Sequence, residues 1–296
     1  MIRRAEFAGG LGAGILSASL AGGVLAGTTD PARALAAGVP YKEIELPALF
    51  RGGRPFLRLT AGDGSHAIAW LDTNGSGFIS NAFAQRMHLT ISNGRATLPT
   101  FSEQLPPVGG DGTLPVIAVD PSDAILAGVD IQLGSSWFAG RVWTIDYRNE
   151  KITWHEDGHS ITADAINPVK LHFPMPGYPS LPIVVEGELV EMMLDTAASL
   201  VERGSVVATS FITRERFTKW HNAHPEWTTR TVAAGVDWIE VPEVRILTVP
   251  MGTVSFTTRP GDDVFQGEHI AGKAGSNAWA FRVLMLDYVR GFAAFD

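Results

Sequence analysis

Two aspartates are the residues here whose type and spacing point most directly to chemistry. Asp72 is followed by Thr73 and Asp195 by Thr196. Each pair closes an apolar run, Trp70-Leu71 in one case and Met192-Met193-Leu194 in the other. If the two runs are equivalent strands of a two-fold fold, their ends can meet at the axis. Carboxylates held in contact there cannot both ionise, so they share one proton. The charged member can act as base on a bound water while the protonated one donates to a peptide carbonyl oxygen. Titration then belongs to the pair and not to either aspartate alone.

The elements that must position the aspartates recur along the chain, and internal repeats of this kind organise a fold. Phe56–Thr73 reads FLRLTAGDGSHAIAWLDT and Leu181–Thr196 reads LPIVVEGELVEMMLDT. Each predicts a strand, a polar turn (Ala61–Ser65; Glu186–Glu188) and a second strand ending in Asp-Thr, which is a β-hairpin pattern. A second block, Gly134–His155, aligns without a gap with Gly275–Asp296. It matches Gly134 with Gly275, Ser135 with Ser276, Arg141-Val142 with Arg282-Val283, and Asp146-Tyr147 with Asp287-Tyr288. Gly-Ser before apolar residues predicts a short capped helix, and the run into Asp-Tyr predicts a strand, a turn and a final strand. Further strands are expected at Glu43–Leu46 and Val169–Phe173, with a helix from Thr213 to about His221. Asp146 and Asp287 lie at turns and read as structural. Trp70, Trp137, Trp143 and Trp279 fall inside apolar runs and read as core.

These motifs resemble those of the retropepsin and pepsin superfamily of aspartic peptidases, in its bacterial retropepsin-like branch. Asp195-Thr196-Ala197-Ala198-Ser199 is similar to the family's Asp-Thr-Gly-Ala-Ser signature, and Asp72-Thr73-Asn74-Gly75-Ser76 resembles it less closely. Gln132-Leu133-Gly134 and Lys273-Ala274-Gly275 resemble the second motif, an apolar pair before Gly, with Lys273 where the family usually has an apolar residue. The resemblance covers roughly residues 40–296. It implies a mainly β fold of two pseudo-symmetric barrel-like lobes with a cleft between them, and catalytic carboxylates at Asp72 and Asp195. Thr73 and Thr196 would bond across the interface, and the amides of Asn74 and Ala197 would donate to the carboxylates. It also implies water-mediated hydrolysis of a peptide or protein substrate with neither metal nor cofactor, and a monomer suffices because one chain supplies both halves. Both signatures depart from the family at the third residue, where Asn74 and Ala197 replace Gly, though Gly75 could take that role by a one-residue shift. A catalytically degenerate peptide- or protein-binding module is therefore the alternative.

The remaining signals bound this reading. The chain has 296 residues, a formal net charge of -8 and no cysteine. An acidic chain without basic clusters is poorly suited to nucleic acid, and the missing cysteines exclude disulfides, thiolate catalysis and Cys-based metal sites. Arg3-Arg4, an Ala/Gly/Leu-rich run and Ala34-Leu35-Ala36 have the layout of an export signal over residues 1–36, with a hint of the twin-arginine route. That leads to the expectation of a periplasmic or secreted protein, with no membrane association once the signal is removed. The expected organisation continues with lobes over 37–155 and 181–296 and a connecting segment over 156–180. Val108–Gly112 is either a hairpin tip over the cleft or a surface loop, and Val232–Phe256 is strand-rich and could hold its counterpart. His155-Glu156-Asp157-Gly158-His159 fits HExxH, but zinc chemistry needs that pattern on a helix and Asp-Gly favours a turn.

Overall fold

A computed structural model describes residues 42–158, 167–259 and 269–296, and every structural statement below concerns these. The export-signal reading of residues 1–36 lies outside them.

The chain is mainly β, arranged as two lobes on a shared sheet. The first lobe is a seven-stranded sheet in the order Ala48–Arg51, Arg54–Thr60, His66–Leu71, Ile131–Leu133, Phe78–Ser80, Thr113–Ile117, Arg95–Thr97. The second has eight strands in the order His172–Met175, Tyr178–Val185, Glu188–Asp195, Ile270–Gly275, Ser210–Ile212, Val249–Thr258, Val236–Ile246, Thr229–Ala233. The second order repeats the first and adds one strand. In both lobes the strand that leads into the aspartate lies parallel to the strand that leads into the motif glycine, with Leu71 opposite Leu133 and Asp195 opposite Gly275. Alternation explains the local choice of strand. In His66–Leu71, Ala67, Ala69 and Leu71 are fully buried, as period-two packing of one face requires.

The third sheet joins the halves. Its order is Glu43–Leu46, Lys151–His155, Val142–Asp146, Val283–Asp287, Phe292–Phe295, Val169–Lys170. The two central strands pair antiparallel with Val142 opposite Asp287, Thr144 opposite Met285 and Asp146 opposite Val283. Thr144 and Met285 are equivalent positions of the gapless repeat, so the pseudo-two-fold axis passes through that pair. Trp143, Ile145, Leu284 and Leu286 are completely buried here, and one continuous apolar core links the sheet to both lobes.

Two expectations need correcting. Residues 156–180 are not all connection: Val169–Lys170 forms an edge of the shared sheet, and His172–Met175 and Tyr178–Val185 begin the second lobe. The strand expected over Val169–Phe173 is interrupted at Leu171, whose amide bonds the Gly291 carbonyl at 2.9 Å. The helix expected from Thr213 spans Arg214–Ala223, with the Thr213 side chain accepting from the Arg216 amide at 3.1 Å.

Candidate active site

The two Asp-Thr segments meet across the pseudo-two-fold axis. Thr73 Oγ1 donates to the Leu194 carbonyl at 2.8 Å, and Thr196 Oγ1 donates to the Leu71 carbonyl at 2.8 Å. Each hydroxyl also accepts from the opposite threonine's amide, Thr196 N at 3.1 Å and Thr73 N at 3.2 Å. Both threonines are fully buried, so four otherwise unpaired backbone groups are satisfied by two hydroxyls. This lattice holds Asp72 and Asp195 at neighbouring strand ends.

Each carboxylate is bound in the same way. Asp72 Oδ1 accepts from the Asn74 amide at 2.8 Å, and Asp195 Oδ1 accepts from the Ala197 amide at 3.0 Å. Neither Asn74 nor Ala197 has a positive φ, so glycine's conformational freedom is not needed at the third motif position. The second oxygens are reached from the adjacent parallel strands. Gln132 Nε2 donates to Asp72 Oδ2 at 2.8 Å, and Lys273 Nζ bonds Asp195 Oδ2 at 2.8 Å. Gly75 keeps the first of these contacts open, because a Cβ there would lie 2.1 Å from both Asp72 Oδ2 and Gln132 Nε2. Gly134 and Gly275 are also places of close approach. A Cβ would come within 2.3 Å of the Gly75 carbonyl oxygen in the first case and 1.8 Å of the Thr209 oxygen in the second.

Burial, and next the charge of Asp195, push the Asp72 carboxyl up to about 7, against the opposing pull of the Asn74 amide and the Lys273 cation. The matched tyrosines lie within the field of the pair, Tyr147 of Asp195 and Tyr288 of Asp72. Burial pushes the Tyr147 phenol up to about 12, and its hydroxyl lies 3.1 Å from Ser276 Oγ. Burial drives Tyr288 well above its usual value, with the charge of Asp72 adding to the effect. Both therefore stay protonated.

Asp72 and Asp195 open into a cavity of about 440 Å³. The first lobe lines it with Trp70 and Ile125. The second contributes more, including Leu200 and Val201 from the hairpin Ser199–Glu202/Ser205–Ala208, and Val232, Ala233 and Val236 from the tip of another hairpin. That tip is tied down from below: Arg214 donates to Asp237 Oδ2 at 2.5 Å and to the Gly235 carbonyl at 2.6 Å. Arg230 joins the two hairpins through Glu202 and stacks 4.4 Å from the Trp238 ring centroid.

Solved structures supply the comparison. The chain is similar to an aspartic proteinase from Irpex lacteus, with a TM-score of 0.50 and 9% identity over 86% of this chain and 97% of that one. The fold is that of the pepsin-like aspartic proteinases. Two 7S globulins are also similar in structure: basic 7S globulin from soybean (TM-score 0.47, 10% identity, 87% of this chain and 95% of that one) and conglutin gamma, a basic 7S globulin from lupine seeds (0.48, 9%, 87% and 95%). No family profile and no curated protein sequence matches the chain.

Of the two readings of Val108–Gly112 the surface loop is the one that fits, since the segment does not line the cleft. Gly109 packs against the Ser136 carbonyl, and the carbonyls of Pro106 and Pro107 accept from Trp137 Nε1 and Arg141. The hairpin that reaches the cleft belongs to Val232–Phe256, through Val232, Ala233 and Val236. Trp137, Trp143 and Trp279 are core residues, whereas Trp70 is buried and also forms cleft wall. The HExxH residues do not make a helix: His155 ends the strand Lys151–His155, Glu156 pairs with Lys42, and His159 lies outside the described residues. Gln132 and Lys273 were not expected to take part. Their signal was present in the matched positions two before Gly134 and Gly275, where polar residues stand in an otherwise apolar motif.

Proposed function

We propose that the chain is an aspartic endopeptidase that uses Asp72 and Asp195 as a single catalytic pair. The supporting observation is the convergence of both carboxylates on one cleft, with each Oδ1 on a backbone amide and the strand ends locked by Thr73 and Thr196. The ionised member takes a proton from a bound water, whose oxygen attacks the peptide carbonyl carbon. The protonated member gives its proton to the carbonyl oxygen, leaving a neutral gem-diol. In the second step the amide nitrogen receives the proton taken from water, a diol hydroxyl returns a proton to the other carboxylate, and the C–N bond breaks. Acid and amine leave and the pair is restored. The apolar cleft wall favours substrates with large apolar side chains flanking the cut. No helix among the described residues is long and apolar enough to cross a membrane, and the N-terminal pattern underlies the proposal that the enzyme acts outside the cytoplasm.

A peptide library incubated with purified protein from pH 3 to 8 and read by mass spectrometry tests this. Cleavage should occur between apolar residues and vanish in both Asp72→Asn and Asp195→Asn. Cleavage that survives either substitution refutes the mechanism. A second reading, a peptide-binding module without turnover, is favoured by the Lys273–Asp195 ion pair, because a cation on a carboxylate weakens it as a base. Under that reading the parent protein retains peptides and cuts none.

A further inference from the structure

The pair is symmetric in its threonines and amides but not in what reaches the second carboxylate oxygens. Gln132 and Lys273 occupy equivalent places, two residues before Gly134 and Gly275, on strands parallel to those carrying the aspartates. Each places a nitrogen 2.8 Å from an Oδ2, one neutral and one cationic. The Lys273 and Asp195 side chains are 16% and 5% exposed, so water screens their attraction only weakly.

We propose that Lys273 is a positioning residue for charge: it confines the negative charge of the resting pair to Asp195, so that Asp195 is always the base and Asp72 always the acid. A matched pair of aspartates could hold the proton on either member. Here the ammonium bonds Asp195 directly and acts on Asp72 only as the smallest of its influences, so it favours the carboxylate at Asp195, while the Gln132 amide bonds Asp72 in either protonation state. The other groups facing the pair do not cancel this bias. Tyr147, on the Asp195 side, and Tyr288, on the Asp72 side, are neutral phenols. Arg259 lines the same cavity and stacks 5.7 Å from the Phe211 ring centroid, so it adds positive charge on the wall built by the second lobe. In the first step of hydrolysis the charge passes from Asp195 to Asp72, where the Gln132 N–H receives it. In the second step it returns to Asp195 beside Lys273. The catalytic meaning of this assignment rests on the peptidase reading, but the assignment itself holds with or without turnover.

Carboxyl-carbon NMR of protein labelled at aspartate, with Asp72 and Asp195 assigned through their Asn variants, reads the charge directly. In the parent protein the lower-pH proton loss should appear at Asp195 and the higher at Asp72. In Lys273→Met both carbons should report both steps, so that neither step belongs to one aspartate alone. Lys273→Arg should restore the parental pattern and the acid limb of kcat/KM. A lower step that belongs to Asp72, or to both equally in the parent protein, overturns the proposal, and this arm needs no variant at position 273 to fold. An unchanged pattern in Lys273→Met overturns it as well. Ordered steps without peptide cleavage would sink the peptidase reading and leave the charge assignment standing. Cleavage without ordered steps would do the reverse.

Discussion

Asp72→Asn tests the electrostatics of the site without relying on turnover. The structure pushes the Asp72 carboxyl from 3.8 to about 7, mainly by burial. Between those two values the folded chain keeps a proton that the unfolded chain releases, so the native state loses stability as pH rises through this interval. At about 1.4 kcal/mol per pH unit, the loss approaches about 4 kcal/mol by neutral pH. Below pH 3.8 the group contributes no pH dependence, because both states are protonated. Asparagine does not titrate, so the variant lacks this slope. Its side chain also fits: the oxygen accepts from the Asn74 amide as before, and the Gln132 amide can turn to accept from the new nitrogen. Urea unfolding of both proteins at pH 4 and pH 8, followed by the fluorescence of the 8 tryptophans, gives the stability difference at each pH. That difference should swing by about 4 kcal/mol in favour of the variant on going to pH 8. A swing below about 1 kcal/mol would mean that Asp72 ionises freely in the fold, and the shared-proton argument would fail with it.

Asp195→Asn should act in the opposite sense. It leaves the Lys273 ammonium in a largely buried place without its carboxylate, so the variant should be about 3–5 kcal/mol less stable than the parent at pH 7 by the same urea assay. Thr196→Val strands the Leu71 carbonyl and the Thr73 amide, both in fully buried surroundings, and should cost about 2–4 kcal/mol in thermal or urea unfolding. Thr196→Ser keeps the hydroxyl and should cost only about 1 kcal/mol. Arg214→Met releases the hairpin tip held through Asp237 and Gly235; it should raise KM for a cleaved peptide about fivefold with a smaller change in kcat, measured by steady-state kinetics.

What could be read without coordinates was local. Asp-Thr after an apolar run, Gly-Ser before an aromatic and Asp-Tyr at a turn are short patterns, and their repetition exposed the two-fold organisation. The helix after Thr213 and the hairpins leading into Asp72 and Asp195 follow from the same local rules. The shared sheet was harder to foresee. Its central pairing joins Thr144 to Met285, and nothing in either strand alone states that its partner is its own repeat. A strand was expected from Val169, but its place at the edge of the shared sheet was not, since two residues carry no sign of their partner. Glycines at 109, 110 and 112 suit a hairpin tip as well as a surface loop, and what decides for the loop is that the preceding prolines are anchored by Trp137 and Arg141. Gln132 and Lys273 were visible only as exceptions to an apolar motif. Their meaning depends on the parallel register that sets them beside the aspartates.

The symmetry and its breaking have different physical sources. The scaffold is symmetric because equivalent residues pair with one another, Thr144 with Met285 and Thr73 with Thr196, so any displacement of one half strains its copy. Such a scaffold brings two aspartates together but gives neither a distinct role. The distinction enters through side chains and insertions that sit off the axis. The second half adds the hairpin after Asp195, the longer hairpin that reaches the cleft, and the cation at position 273, whereas the first half passes from Asp72 directly into Phe78–Ser80 and supplies an uncharged amide. Most of the cleft wall and the resting charge therefore lie on the same side. A substrate gripped by the second lobe would meet the base from the lobe that holds it and the acid from the lobe opposite, which is the arrangement that two identical halves cannot provide.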